Sequence, residues 1–362
     1  MVLKFYKKEL AVKMWKQAAE QIQPLSRSWL DRARTRLDNL TKPRGSLGSL
    51  EKMAERVVAI RQEEVPSLRK KEVLVFVGDH GVVSEGVSAY PQEVTALMVG
   101  NFLAGGAAIN VLARCAGAEV SVIDIGMKED LQKADGLIRR NVRRGTGNIA
   151  KGPAMMLDEA EKAINVGVEM AGEAYERGVS MIATGDMGIG NTTPSSALFS
   201  SLLPADVVDV TGRGTGIDEE GVKHKVRVIE EALKVNRASM KDPVSTLAAL
   251  GGLEIAGICG LCLAGAARRM IVVVDGFISS AGALVAIRMN PVVKDYLFFS
   301  HQSSEKGHQT FFKKEGIRPV LDLDLRLGEG TGAALVMQLI EDSVKIYNEM
   351  ATFEEVGIEP GA

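Results

Sequence analysis

The sequence of 362 residues has little of several features that would point to particular classes of protein. It holds only three cysteines, Cys115, Cys259 and Cys262, which are too few and too unevenly spaced for a disulfide framework and are typical of a reducing compartment. Basic and acidic residues nearly balance, at a net charge of −2, so a strongly basic nucleic-acid-binding surface is not expected. Aromatic residues make up 5% of the chain against 38 glycines, which favours a closely packed α/β architecture.

Groups that could hold a metal or act as nucleophiles are also scarce. A metal centre needs at least three well-placed ligands, but only four histidines occur and none has a paired His-x-x-x-His spacing, so we expect no metal. No Gly-x-Ser-x-Gly motif is present either. Cys259 and Cys262 have the redox C-x-x-C spacing, but they lie in an apolar helical run, which favours two buried small side chains.

The chain lacks the features of an exported or membrane-embedded protein. Its N-terminus has no apolar core long enough for a signal peptide. We find no apolar run of about 18 residues without charge, so we expect no membrane span. With the sparse cysteines, this predicts a cytoplasmic protein.

Hydrophobic patterning predicts the fold class. Residues 1–66 have helical patterns at 10–23, 28–40 and 50–62 and no strand. From Glu72 onward short apolar runs alternate with helical stretches, which predicts a doubly wound, mainly parallel sheet flanked by helices. The predicted strands are 73–77, 120–125, 179–184, 207–210, 271–275 and 320–325. The predicted helices between them are 91–102, 107–116, 158–177, one from Thr192 or Thr193, 218–235, 245–250 and 253–269.

Glycine and polar clusters follow several of the predicted strands, where ligands bind in such sheets. The largest cluster, 185–193, contains Gly185, Asp186, Gly188, Gly190, Asn191 and Thr192. Glycines expose backbone N–H groups and a helix N-terminus favours anions, so a phosphate site is one interpretation and a turn before a capped helix is the other. The cluster has neither the Gly-Lys-Ser/Thr ending of a P-loop nor a dinucleotide spacing. A weaker glycine loop lies at 212–216.

Other candidate substrate-binding residues lie at predicted strand ends. Asp79 and His80 follow the first strand, where they could orient a substrate or a loop. Asp275 is the last residue of a later predicted strand, and Ser303 lies in the polar segment 300–307. For Asp275 and the 300–307 segment, a structural role is favoured over a catalytic one.

Glu329 stands between Gly328 and Gly330, after an alternating run and before an apolar helical run. Glycine lets the backbone turn tightly or approach a ligand closely, so a lone carboxylate here could reach a bound molecule. Alternatively, Glu329 is a first-turn acid favoured by the helix dipole. Its position alone does not decide between these roles.

The clusters, taken in order, resemble the nicotinate-nucleotide–dimethylbenzimidazole phosphoribosyltransferase family of cobalamin nucleotide-loop assembly. Each motif is weak alone, but their conjunction, over about residues 41–337, is specific. The matching motifs are Lys42-Pro43-x-Gly45-Ser46-Leu47-Gly48, Asp79-His80-Gly81-Val82, Gly147-Asn148-Ile149-Ala150-x-Gly152-Pro153-Ala154-Met155, Gly185-Asp186-Met187-Gly188 with Asn191-Thr192-Thr193-Pro194, Asp275-Gly276-Phe277, Ser300-His301 with Glu305-Lys306-Gly307, and Arg326-Leu327-Gly328-Glu329-Gly330.

The resemblance implies transfer of phosphoribose from nicotinate mononucleotide to 5,6-dimethylbenzimidazole, which gives α-ribazole 5′-phosphate and nicotinate. It implies that Glu329 is the general base and that Asp186 and Lys225 contact substrate. The family motif often has Glu where this chain has Asp186, which reaches one methylene less far. The resemblance also implies a homodimer of two-domain chains, with an α/β domain at 70–330 that bears the active site at its strand ends and a smaller helical domain from 1–69 plus 331–362.

The chemistry of this reaction agrees with the residues present. A neutral benzimidazole nitrogen that attacks leaves one ring proton to be removed, so one base is needed. Nicotinate departs as a neutral ring and no pyrophosphate is displaced, so neither a general acid, a cofactor nor Mg²⁺ is expected. The alternatives are transfer to another base, a nucleotide-dependent oxidoreductase, and a non-catalytic nucleotide-binding protein. The oxidoreductase would need Gly-x-Gly-x-x-Gly after the first strand, where the sequence is Gly78-Asp79-His80-Gly81.

Overall fold

A single parallel sheet of six strands organises the protein. The computed structural model describes residues 14–131 and 134–358. The strands are β1 (Lys71–Gly78), β2 (Ala118–Gly126), β3 (Leu137–Arg139), β4 (Met181–Met187), β5 (Ile271–Val274) and β6 (Leu297–Phe299). Their spatial order is β3-β2-β1-β4-β5-β6, and every neighbouring pair is parallel. The predicted α/β class is therefore confirmed.

Helices cover both faces of this sheet. They are α1 (Arg27–Asn39), α2 (Ser49–Arg61), α3 (Val94–Leu103), α4 (Ala108–Ala116), α5 (Leu157–Glu176), α6 (Thr192–Leu202), α7 (Val207–Val210), α8 (Glu219–Asn236), α9 (Pro243–Leu250), α10 (Leu253–Ala267), α11 (Phe277–Met289), α12 (Lys306–Glu315) and α13 (Thr331–Glu349). Residues 14–21 are also helical, within the predicted helix 10–23, of which 10–13 lie outside the described residues. The described residues also contain two 3₁₀ helices, at Gly81–Glu85 and Pro291–Tyr296.

The strand order places a crevice between β1 and β4. The chain builds outward from β1 to β2 and β3, and then returns to add β4, β5 and β6 on the other side. In an open parallel sheet, ligands bind beyond the carboxyl ends of the strands at such a switch point. The ends of β1 and β4 are therefore the first place to look for a functional site.

Close helix packing accounts for part of the glycine content. A Cβ on Gly167 of α5 would lie 1.9 Å from the carbonyl oxygen of Gly257 in α10, and one on Gly260 would lie 1.8 Å from that of Ile164. The backbones of α5 and α10 can therefore approach only because these positions carry no side chain. In α10, Cys259 and Cys262 are free and fully buried, and burial raises the pKa of Cys262 to about 12. The prediction of two buried small side chains is confirmed.

Two predicted strands are wrong. Residues Val207–Val210 form a short helix, because three valines around Asp209 are too short a pattern to distinguish helix from strand, and Val208 is exposed rather than buried on two faces. The run 320–325 yields only the two-residue strand β8 (Leu321–Asp322), paired with β7 (His301–Gln302) outside the main sheet. Leu323 is exposed and Asp324 has a φ of 53°, which ends the extended conformation.

The sequence prediction missed β3, β6, α11 and α12. The two strands are three residues each, which is too short to show a pattern. Helix α11 is buried from Phe277 to Ile287 on all sides, so it lacks the polar stripe that marks a surface helix.

The expectation that the sequence holds no long apolar run without charge is wrong at one described stretch: Val94–Ala116 is long and apolar enough by composition to cross a membrane, with a mean hydropathy of 1.7, and has no charged residue from Val94 to Ala113. The structure divides this stretch into α3 and α4, of ten and nine residues, around Gly105, whose φ is 76°. A membrane-spanning helix needs about 20 residues, so neither helix is long enough by itself.

A small second cluster of buried side chains joins the two ends of the chain. It contains Ala33 and Leu37 of α1, Val58 of α2 and Tyr347 near the end of α13. The Arg36 side chain donates from Nε to the Tyr347 carbonyl at 2.7 Å. The first turns of α13 belong instead to the main core through Ala333 and Val336. The division into 70–330 and 1–69 plus 331–362 stays a prediction.

Candidate active site

The carboxyl ends of β1 and β4 meet the loop that holds Glu329. A Cβ on Gly188 would lie 2.2 Å from the Gly78 carbonyl oxygen, and one on Gly185 would lie 2.6 Å from the Glu329 carbonyl oxygen. A Cβ on Gly328 would lie 3.1 Å from Oδ2 of Asp186. The structure thus brings together three clusters that lie far apart in the sequence, and glycines permit the close contact.

Glu329 has an unusual backbone conformation. Its φ is 64°, and its neighbours Gly328 and Gly330 have φ values of 85° and 96°. A residue with a side chain rarely occupies this left-handed region, and such strain is concentrated at functional sites. The turn places the carboxylate, which is 4% exposed, where its Oε2 accepts a hydrogen bond from the Ile109 backbone N–H at 3.3 Å.

Burial raises the pKa of Glu329 above its ordinary value. The Ile109 N–H lowers this pKa, and the negative charge of Asp275 raises it. A carboxylate with a raised pKa is a stronger base than an exposed glutamate.

Asp186, at the end of β4, is the second carboxylate of this crevice. Burial raises its pKa well above the ordinary value, and the charges of Asp275, Glu254 and Glu329 raise it further. Its Oδ2 accepts a hydrogen bond from Asn191 at 3.1 Å, but its Oδ1 has no hydrogen-bond partner in the described part of the chain. This buried oxygen is available to a ligand donor.

A buried amine lies at the start of α6. The Lys225 side chain, 1% exposed, donates from Nζ to the Thr192 hydroxyl at 2.6 Å. Burial lowers the pKa of Lys225 to about 8, and the charge of Glu305 acts in the opposite direction. A Cβ on Gly214 would lie 3.1 Å from this Nζ, so the 212–216 loop also comes to the same place. An amine beside a helix N-terminus favours an anion such as phosphate.

Glu305, in the segment 300–307, is a further residue of this region. Its Oε1 accepts a hydrogen bond from the Gly214 N–H at 2.9 Å. The Ser303 hydroxyl accepts one from the Glu305 N–H at 3.3 Å, and the Ser303 N–H donates to Nδ1 of His308 at 2.9 Å. Ser303 therefore lies next to the second glycine loop.

Asp79 and His80 each contact a protein group through one side-chain atom, while Oδ1 of Asp79 and Nδ1 of His80 have no hydrogen-bond partner among the described residues. Asp79 accepts from the Lys128 N–H at 2.8 Å through Oδ2, and burial raises its pKa. His80 and Glu254 are fully buried, and Nε2 of His80 lies 2.8 Å from Oε1 of Glu254. Burial lowers the pKa of His80, but the Glu254 charge and hydrogen bond outweigh it, so the net direction is upward. Sequence reasoning missed Glu254, which is the first-turn acid of an apolar helix and gives no separate signal.

Asp275, just after β5, is completely buried. Its Oδ2 accepts from the Gly330 N–H at 3.1 Å, and its Oδ1 accepts from the Ala333 N–H at 3.0 Å. It therefore lies beneath the turn that carries Glu329. Among residues 14–131 and 134–358, no group of three His, Cys, Asp or Glu side chains could hold a metal ion.

Comparison with known proteins gives consistent matches over nearly the whole chain. A family model described as a phosphoribosyltransferase matches residues 22–358. Nicotinate-nucleotide–dimethylbenzimidazole phosphoribosyltransferase from Chlorobaculum parvum is 55% identical over 344 residues, which are 95% of this chain and 98% of the relative. The protein of the same name from Geobacter sulfurreducens is 55% identical over 345 residues, with the same coverage. The crystal structure of CobT from Thermus thermophilus superposes with a TM-score of 0.88 at 46% identity and covers 92% of this chain and 100% of that one.

Proposed function

The chain belongs to the nicotinate-nucleotide–dimethylbenzimidazole phosphoribosyltransferase family, and from this premise we propose that Glu329 is the general base of its reaction. The protein is a pentosyltransferase of cobalamin synthesis. It moves phosphoribose from nicotinate mononucleotide to 5,6-dimethylbenzimidazole and releases nicotinate.

The observation that carries the assignment of the base is the conformation and burial of Glu329. Its carboxylate is 4% exposed on a left-handed turn at the switch point of the sheet. The attacking benzimidazole nitrogen becomes cationic as it bonds to the anomeric carbon, and the ring N–H proton must then be removed. Burial raises the pKa of Glu329, which brings its basicity closer to the working pH.

Lys225 and Thr192 form the anchor that we propose for the 5′-phosphate of the donor. The amine is buried, lies within hydrogen-bond distance of the Thr192 hydroxyl, and sits beside the N-terminus of α6 and the glycine loop 185–190. A phosphate held here would fix the ribose while Asp186 offers its free Oδ1 to a donor group on the substrate. Most of the rate enhancement would then come from the alignment of the two rings across the anomeric carbon.

We further propose that the chain works as a homodimer. Helices α3 and α4 expose Leu97, at 72%, and Val111, at 47%, in a stretch that has no charged residue from Val94 to Ala113. Exposed apolar surface of this kind is typical of protein interfaces. A sedimentation measurement that gives the mass of one chain would refute the dimer. The cytoplasmic location stays a prediction from the sparse, free cysteines.

The experiment that tests the function is nicotinate release from nicotinate mononucleotide with a panel of bases. We expect release to depend on the added base, with 5,6-dimethylbenzimidazole accepted, while purines or other azoles would define the range of acceptors. Equal release without any base would contradict phosphoribosyl transfer to a base.

The same assay tests the role of Glu329. Glu329→Gln should lower turnover by about 10²- to 10⁴-fold, because the proton acceptor is lost while the shape is kept. Nicotinate mononucleotide should still bind, as measured by calorimetry. Glu349→Gln is the matched control, because Glu349 is an exposed acid at the opposite end of α13 and its loss should leave turnover unchanged. Near-normal turnover of Glu329→Gln would sink the assignment.

A further inference from the structure

We infer that Asp275 is a positioning residue, which holds the Glu329 turn from below through hydrogen bonds to its backbone. This inference rests on the proposed role of Glu329. It differs from the role in substrate binding that the sequence suggests for Asp275, because both carboxylate oxygens are engaged by the protein itself.

The contacts of Asp275 bracket the last part of the turn. Its Oδ2 accepts from the N–H of Gly330, the residue directly after Glu329, and its Oδ1 accepts from the N–H of Ala333, in the first turn of α13. Gly330 is the N-cap of that helix and has no side chain with which to satisfy these groups. Asp275 therefore acts as a helix cap supplied by a distant strand.

The turn needs such a support because its backbone is strained. Glu329 has a φ of 64°, a left-handed conformation that is unfavourable for a residue with a side chain. Gly330 also lies in a crowded position, because a Cβ added to it would lie 2.6 Å from Cγ1 of Val73. The backbone at Gly330 therefore has little room to shift. Two hydrogen bonds that backbone N–H groups donate to a buried carboxylate are strong enough to fix this conformation.

Asp275 also links the Glu329 turn to strand β4. Its own backbone N–H donates to the hydroxyl of Thr184 at 3.0 Å. Thr184 immediately precedes Gly185 and Asp186 in β4. One residue thus sets the position of the Glu329 turn relative to the strand end that faces the donor.

The charged groups that face Asp275 are few and well defined. Nδ1 of His301 lies 3.9 Å from Oδ1, and the carboxylates of Glu329 and Asp186 are the neighbouring acids. The negative charge of Asp275 raises the pKa of Glu329. Loss of this charge should therefore move the acid limb of the rate profile to lower pH, an effect that the loss of a helix cap alone would not produce.

The test is a double-mutant cycle of Asp275→Asn and Glu329→Gln, measured as nicotinate release. The amide keeps the size of the side chain but can accept through only one atom. Asp275→Asn should lower kcat by about 10- to 100-fold, because small misplacements of a reacting group are costly. KM for nicotinate mononucleotide should change by less than about threefold, and the acid limb should shift downward.

The double variant decides whether Asp275 acts through Glu329. If it does, adding Asp275→Asn to Glu329→Gln causes no further loss of turnover. Multiplicative losses would overturn the inference, and so would an effect confined to KM, which would indicate direct substrate binding. If Glu329→Gln alone is silent, the proposed base fails instead, and that outcome is separate from both of these.

Two further variants guard against misfolding. Asp242→Ala removes the side-chain cap of α9 and should lower the midpoint of thermal unfolding by about 2 to 4 °C with no change in kcat. Thr184→Val is nearly isosteric and removes only the acceptor of the Asp275 N–H, so it should lower kcat in the same direction by a smaller factor. If Thr184→Val folds and kcat is unchanged, the link from β4 to the Glu329 turn is refuted.

Discussion

The two ends of strand β1 differ in whether their buried charged groups have partners of opposite charge. At its amino end, Lys71 pairs with Glu341, and Glu72 accepts two hydrogen bonds from Arg177, at 2.6 and 2.8 Å. The hydroxyl of Ser121 also donates to Glu72, at 2.6 Å. Each buried charge at this end therefore has an opposite charge beside it.

At the carboxyl end, carboxylates gather with little compensation. Burial is the first cause that raises the pKa of each of four of them: Asp79, Asp186, Asp275 and Glu329. A raised pKa means that the folded protein disfavours the charged form. The amino end thus stabilises the fold, whereas the carboxyl end lowers stability and holds the carboxylates to which we assign the chemistry.

Removal of a cation from the amino end should have the largest effect on stability. Arg177→Met leaves Glu72 buried and paired only with a hydroxyl, which should lower the free energy of unfolding by about 2 to 3 kcal/mol. This figure is at the low end for a buried pair because the Arg177 side chain is 48% exposed. Turnover of the folded protein should be unchanged. Denaturant unfolding measures the loss of stability. If Arg177→Met instead lost much of its turnover without a loss of stability, the difference that we describe between the two ends of β1 would be contradicted.

Removal of the buried cation near the carboxyl end should act on binding instead. Lys225→Met should raise KM for nicotinate mononucleotide by about 10- to 100-fold, because a charge-assisted hydrogen bond to phosphate is lost. Lys223→Met is the matched control, since Lys223 is an exposed lysine two residues away whose partner is Glu220. Steady-state kinetics at varied nicotinate mononucleotide concentration gives the KM of each variant. Equal KM values for Lys225→Met and Lys223→Met would indicate that the phosphate binds elsewhere.

The smallest effect is expected from the neutralisation of Asp186. Burial raises the pKa of Asp186 in the folded state, so the ionised carboxylate destabilises the fold. The free energy of unfolding therefore falls as the pH rises from about 3.8, the unfolded pKa, through the folded pKa. At neutral pH, Asp186→Asn should therefore raise the free energy of unfolding by about 0.5 to 2 kcal/mol. The gain should shrink as the pH is lowered. A gain that grows toward acid pH would contradict the direction of the shift.

The sequence was sufficient for the central strands and for the convergence of the polar clusters. Continuous apolar runs identified β1, β2, β4 and β5, and parallel topology implies that the residues after them meet at one edge. Glu329 and the 185–193 loop are accordingly in contact.

The partners that tune the site were not predictable. Glu254 pairs with His80, which lies 174 residues away in the sequence. The backbone N–H that donates a hydrogen bond to the Glu329 carboxylate belongs to Ile109, 220 residues away. Backbone donors have no residue preference, so no motif marks them. The capping role of Asp275 is hidden for the same reason, because its two acceptor contacts are to main-chain groups.

The most direct test measures turnover and the free energy of unfolding on the same preparation of Glu329→Gln. If the carboxyl end sacrifices stability for chemistry, turnover should fall by about 10²- to 10⁴-fold, while at neutral pH the variant unfolds with equal or greater free energy than the parent. Turnover within about threefold of the parent, or a loss of turnover that merely follows a loss of stability, would contradict the account.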